Sequence, residues 1–240
     1  MAGEDVFGLS DLASYLGRDA RELEKLAERG HLPGRRVGGQ WQFHRENVHH
    51  WLERQLSEYS DQELERLEFS VGQKEEESAS PLVVTPLLSV ETIEVPLGAR
   101  TARSVLSRMV EVANRTWLLY LADDILQAIE AREKLSSTAL PGGVAIPHPR
   151  RPLPDALGES LIAFGRTATG IPFDRDGSMT DLFFLVLCRD HSTHLHVLAR
   201  LSRIFQREDF FDQLRATQSA TEAFEVITKA EMEVVDASVS

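Results

Sequence analysis

Apolar positions fall into two blocks separated by a stretch that has few of them. In the first block Leu9, Leu12, Ala13 and Leu16 recur at helical spacing, with Ser10 as the expected N-cap and Gly17 ending the helix. Asp19 is placed to cap a second helix that turns Leu23, Leu26 and Ala27 inward and stops at Gly30. The period then changes. Val37, Trp41 and Phe43 alternate around Gly38-Gly39, the pattern of a β-hairpin. A third helix follows, with Val48, Trp51, Leu52 and Leu56 on one side. Two short helices joined by a tight turn have helix-turn-helix geometry, and the hairpin supplies a wing. These residues form their own apolar set, so residues 1–57 are expected to fold as a unit.

Residues 58–81 read as an acidic linker. Eight carboxylates, from Glu58 to Glu77, are answered only by Arg66 and Lys74. Ser60-Asp-Gln-Glu63 has the form of a capping box and predicts a short helix there. Pro81 and Pro86 mark entry into a second domain over 82–230. Within it Val105, Leu106, Met109, Val110 and Ala113 keep helical spacing. So do Leu121, Ile125, Ala128 and Ile129, in a helix expected to start after Asp123 or Asp124 and to deliver Arg132 near its end. Gly143–Ile146, Leu161–Phe164 and Leu182–Cys188 are apolar runs of strand length, with a turn signal at Asp176-Gly177. Leu195, Leu198, Leu201 and Phe205 form another helical stripe. Helix and strand signals in alternation predict an α/β domain with a buried sheet. Residues 231–240 are expected to be a flexible tail.

No apolar run reaches bilayer-spanning length, and the N-terminus lacks the basic and apolar segments of a secretory signal. The single cysteine, Cys188, has no internal partner for a disulfide, which fits a reducing cytoplasm. A net charge of −12 opposes nucleic-acid binding over the whole surface but permits a local basic patch.

One segment carries chemistry. Pro147 ends the strand of Gly143–Ile146, and the next side chain is the imidazole of His148. Arg132 and Thr138 lie shortly before it and offer an anion a cation and a hydroxyl. His194 opens the next helical stripe. Two histidines, an arginine and a hydroxyl suit transient phosphorylation of a histidine better than metal binding. Zinc on His191, His194 and His196 is disfavoured, because two of these flank a leucine on a helical turn and no second cysteine is available.

The run Arg132-Glu-Lys-Leu-Ser-Ser-Thr138, then Ala145-Ile-Pro-His148, then Thr193-His194-Leu-His196 resembles the active-site signature of the type-2 enzyme IIA domain of the bacterial phosphotransferase system. That family includes the mannitol/fructose IIA domains and the nitrogen-regulatory IIA protein, and the resemblance covers roughly Leu82 to Ala230. It implies a mixed β-sheet flanked by helices. It assigns His148 as acceptor of a phosphoryl group from a phosphohistidine carrier protein (HPr-like), His194 as the second active-site histidine, with His196 as the alternative, and Arg132 as the phosphate-neutralising cation. Thr138 would add a hydrogen bond. The scheme makes the chain a phosphohistidine carrier more than a turnover enzyme and calls for no cofactor or metal. Pro149 stands where many members carry glycine.

The first block resembles the excisionase-type, MerR-like winged helix-turn-helix, on Leu9-x-x-Leu-Ala-x-x-Leu-Gly17, Gly30-His-Leu-Pro33, Arg36-Val-Gly-Gly39, Trp41 and Trp51-Leu52. The resemblance implies a second helix in the major groove of double-stranded DNA and a wing on the backbone. Arg21, Lys25, Arg29, Arg35, Arg36 and Arg45 are the candidate DNA-binding residues. No acid lies between Glu28 and Glu46, but Glu22, Glu24 and Glu28 share the recognition helix with the cations. So few cations predict weak binding by a monomer, and hence a homodimer on DNA. Two functions follow. One is a phosphorylation-responsive transcription regulator. The other is a phosphocarrier or regulatory interactor whose head binds protein.

Overall fold

The computed structural model describes residues 6–72, 81–174 and 176–239. The head contains β1 (Val6–Phe7), α1 (Leu9–Leu16), α2 (Ala20–Glu28), β2 (Arg35–Val37), β3 (Gln40–His44) and α3 (Arg45–Gln55). Its three strands form an antiparallel sheet in the order β1-β3-β2. Gly38 and Gly39 turn the hairpin with φ of 58° and 83°, values that cost a side-chain-bearing residue strain. The Asp19 carboxylate accepts from the amides of Arg21 and Glu22 and starts α2. α1 begins one residue before the expected cap. Gly8 holds the N-cap position, its amide donates to Asp11, and Ser10 lies inside the first turn. β1 is too short for its periodicity to be visible in the sequence.

The acidic stretch departs further from expectation. Its capping box is present: the Ser60 amide donates to Glu63 at 2.9 Å, and the Glu63 amide reaches Ser60 Oγ at 3.4 Å. It opens α4 (Asp61–Gly72), which buries Leu64, Leu67 and Val71 in the core shared by both halves of the chain. The helix is held because its acids find cations far along the sequence. Glu68 takes both Arg200 Nε at 2.8 Å and Arg203 Nη1 at 2.9 Å, and Asp61 takes Arg203 Nε at 2.7 Å. Counting charge within 58–81 therefore reads a docked helix as a linker. The remainder of that stretch, 73–80, lies outside the described residues.

The second unit contains β4 (Ile93–Glu94), α5 (Ala102–Ala113), α6 (Ala122–Leu135), β5 (Ala139–Leu140), β6 (Val144–Ala145), β7 (Leu161–Pro172), β8 (Met179–Leu187), α7 (His191–Phe205), α8 (Phe210–Ala216) and α9 (Ala220–Val239). The sheet order is β4-β7-β8-β6-β5. β4 is parallel to β7 and β6 to β8, while β7–β8 and β5–β6 are antiparallel. Both faces of β8 are covered, which explains its unbroken apolar run. Leu182, Phe184 and Val186 pack in the core with α7 and α9; Phe183, Leu185 and Leu187 pack with α5 and α6. α6 starts at Ala122, so Asp123 and Asp124 sit in its first turn, favoured by the helix dipole, and do not precede it.

The C-terminal segment is helical to Val239, against the expected flexible tail. Val234 is in the core, and Glu231 is fully buried. Its carboxylate accepts from the amides of Val83, Val84 and Thr85 at 2.6–2.8 Å and pairs with Arg200. Removing one partner of such a buried cluster leaves an uncompensated charge and costs about 3–5 kcal/mol. No helix among the described residues is long and apolar enough to cross a membrane.

Candidate functional site

β6 carries the chain into the site. Beyond it, the Val186 amide donates to the Pro147 carbonyl at 3.0 Å, continuing the pairing with β8. His148 follows, buried, with Nδ1 2.7 Å from the Ile146 carbonyl. A carbonyl only accepts, so Nδ1 carries the hydrogen and Nε2 is the ring nitrogen that faces the pocket. His194 lies in the first turn of α7, behind the N-cap Asp190, which accepts from the Thr193 amide at 2.9 Å. The two imidazole centroids are 5.0 Å apart. Burial pushes the His194 pKa down, and the neighbouring His148 and Arg132 add to this; the Glu53 carboxylate opposes them without reversing the shift.

Arg132 stands in the last turn of α6 and is buried; its Nη1 donates to the Ser136 carbonyl at 2.8 Å. The four residues expected at this site do converge, with one difference. Thr138 Oγ1 donates to Glu133 at 2.7 Å, so its hydroxyl hydrogen is already committed.

The residue that closes the site was not foreseen. Glu53 reaches in from α3 of the head. Its Oε2 lies 3.1 Å from Arg132 Nη2 and 3.3 Å from His148 Nε2, and its Oε1 lies 3.5 Å from His194 Nε2. The carboxylate is 8% exposed, and His50 stands 3.5 Å from it. Burial alone would raise its pKa, but His148, His194 and His50 together outweigh burial and hold it well below the usual carboxylate range. One turn before His50, Glu46 pairs with Arg150 at 2.8 Å and with Arg151. Glu46, His50 and Glu53 share one stripe of α3 by helical spacing. That stripe faces the loop after β6, while Val48, Trp51 and Leu52 face the head core. Sequence gave no signal for this contact, since a polar helix face ordinarily reads as solvated and Glu53 is far in sequence from His148.

Arg132 Nε and His148 Nε2 are buried without a hydrogen-bond partner among the described residues. A cavity of about 310 Å³ adjoins them, lined also by Ser136, Thr138 and Leu140. The ligand atoms of Glu53, His148 and His194 lie within 4.8 Å of one another, close enough to consider a metal ion. The fixed charge of Arg132 on the same carboxylate opposes a cation there and suits an anion. His191 and His196 do not join this group: His191 packs edge-on to His49 at 4.6 Å, and His196 lines a groove beside Gly72.

Residues 86–230 match the family model described as phosphoenolpyruvate-dependent sugar phosphotransferase system, EIIA 2. The chain belongs to the EIIA type-2 family. Residues 6–56 match a helix-turn-helix domain model, so a helix-turn-helix domain precedes the EIIA unit. The nitrogen regulatory protein of Klebsiella oxytoca is 32% identical over 155 residues, 63% of this chain and 93% of the relative. The fructose-specific EIIABC component of Bacillus subtilis is 30% identical over 149 residues, 61% of this chain but only 23% of that protein. The crystal structure of nitrogen regulatory protein IIA-Ntr from Neisseria meningitidis covers 60% of this chain and 97% of its own, at 27% identity and a TM-score of 0.53. The IIA mannitol structure from Escherichia coli, at 22% identity and a TM-score of 0.52, shares the fold. This EIIA unit has the mixed sheet and flanking helices expected of it.

In the helix-turn-helix domain, Arg21, Lys25, Arg29, Arg35 and Arg36 are exposed. Arg36 is shared with α2, 3.5 Å from Glu24 and 3.2 Å from Glu28, and it lies over Trp41 at 5.0 Å. Arg18 pairs with Glu22. The glutamates of α2 are thus largely matched by cations within the domain. Arg45 sits differently from the other candidates: its guanidinium lies 4.2 Å over Phe7 and 5.4 Å over Tyr15, packed on the domain's aromatic core.

Proposed function

We propose that the EIIA unit accepts a phosphoryl group on His148 Nε2 from a phosphohistidine carrier protein, and that this event regulates a DNA-binding head. The observation that carries it is the buried anion pocket. Two nitrogens there, Arg132 Nε and His148 Nε2, remain unsatisfied beside a two-oxygen carboxylate. A phosphoryl group brings three oxygens and a bond to Nε2, which fits that deficit. In the transfer, the Nε2 lone pair forms the new N–P bond. The donor imidazole takes back the electron pair of its own N–P bond, so no net proton is gained or lost. Arg132 stabilises charge on the transferring oxygens, and His194, at the N-terminus of α7, donates to them where free amides already favour an anion.

The head reading rests on the helix-turn-helix match and on Arg21, Lys25, Arg29 and Arg35, which are exposed along α2, at its C-cap and on the wing. With so few phosphate contacts per head, a homodimer is the binding form. The engagement of Arg36 by Glu24 and Glu28 favours the second reading, a head that binds protein. The test of the acceptor is incubation with phosphoenolpyruvate, enzyme I and an HPr-like carrier. Acid-labile label is expected on the peptide that contains His148 and absent from His148→Ala. Equal labelling of His148→Ala rejects the assignment.

A further inference from the structure

We infer that Glu53 is an internal occupant of the phosphoryl site, so that the docked head and phosphorylated His148 are mutually exclusive. The inference rests on the reading of His148 as the acceptor and adds how access to it is governed.

Three observations carry it. First, the Glu53 carboxylate lies against the three groups that would hold a phosphoryl group: Arg132 at 3.1 Å, His148 at 3.3 Å and His194 at 3.5 Å. No residue of the EIIA unit itself supplies this anion. Second, the contact is not a lone pair on a surface. Glu53 is 8% exposed and His148 is 4% exposed, and Glu46 clamps the same loop through Arg150 and Arg151. Third, with α3 in place the acceptor nitrogen is covered, so a carrier protein cannot bring its own phosphohistidine to bonding distance. The head must lift before transfer. After transfer, a dianionic group on His148 repels the carboxylate from the pocket it occupied.

The DNA-facing cations of α2 and the wing stay exposed in the docked state. Release therefore does not uncover them. It frees the heads to take the mutual orientation that two half-sites require. By linkage, whatever holds the head away from the EIIA unit also speeds labelling of His148.

Two measurements on the full chain test this. The first is the labelling rate from the phosphohistidine carrier. Glu53→Gln, which removes the charge and keeps the shape, is expected to label at least ~10-fold faster than the parent, because the carrier sees a larger fraction of lifted heads. Glu53→Asp, which keeps the charge on a shorter arm, is expected to fall between them. The second is the distance between spin labels at Lys25→Cys and Lys229→Cys, with Cys188→Ala. The unphosphorylated parent is expected to give one narrow distribution, and the phosphorylated parent and Glu53→Gln a broad, longer one. Label on His148 at equal rates in parent and Glu53→Gln, or an unchanged distance after full labelling, overturns the inference and leaves the acceptor intact. No label on either form overturns both.

Discussion

At the scale of single residues, the site is an arrangement of positive and neutral donors around one covered nitrogen. Arg132 and Thr138 illustrate how the structure refines what the sequence offers. Both stand where an anion needs them, but Arg132 Nε is unsatisfied whereas the Thr138 hydroxyl already donates to Glu133. Their substitutions should therefore differ. In a Glu53→Gln background, which removes the competing carboxylate, Arg132→Ala is expected to slow labelling of His148 by roughly 10²–10³-fold, the loss typical of one preorganised charge contact. Thr138→Val in the same background should cost less than about tenfold, equivalent to under about 1.4 kcal/mol. Single-turnover transfer from the phosphohistidine carrier measures both. Equal effects would mean that Thr138 turns from Glu133 to the phosphoryl group. The grouping of Arg132, Thr138, His148 and His194 was legible because each stands in a short local motif at the end or start of an element. Glu53 was not, because its role depends on how a separate helix docks.

At the scale of elements, α3 and α4 join the two units. Periodicity located both helices, since Val48, Trp51 and Leu52 and the Ser60–Glu63 box are local signals. What each helix packs against was not legible. The acids of α4 are matched by Arg200 and Arg203 of α7, and the polar stripe of α3 meets the His148 loop, pairings that only tertiary structure creates. The terminal helix was lost for the same reason, because Glu231 reads as a surface acid until the amides of 83–85 are brought to it. His49, on α3, gives the interface a pH dependence. Its Nε2 bonds the Tyr15 hydroxyl at 2.9 Å, and His191 of α7 packs on its ring. Burial, with His191, His194 and Arg45 nearby, lowers its pKa to about 3 in spite of Glu53. A depressed folded-state pKa means that the unfolded chain binds the proton first. The stability His49 contributes is thus complete above about pH 6.5 and is lost as the pH falls toward 3. The depressed carboxyl of Glu53 acts in the same direction at lower pH, losing its contribution as the pH falls through and below about 4.5. Thermal melts across this range should show the midpoint falling on acidification, with a shallower fall in His49→Gln. Identical slopes in the two proteins would remove His49 from the account.

At the scale of the whole molecule, the chain places a helix-turn-helix domain on the active face of an EIIA unit, with one carboxylate from the first seated among the anion-binding groups of the second. On the inference drawn above, a phosphoryl group on His148 is converted into a change of head position, because two anions compete for one pocket. On the proposed DNA-binding reading, the few basic residues on each head make that position matter, since affinity would then depend on bringing two heads to half-sites about one helical turn apart. The most direct test is the affinity of the full chain for a duplex chosen by selection from random sequences, measured at one fixed salt concentration with and without complete phosphorylation. The account predicts an affinity that changes at least severalfold with phosphorylation in the parent and is insensitive to the phosphorylating mixture in His148→Ala. The same affinity for the phosphorylated and unphosphorylated parent, with His148 verified as labelled, would contradict it.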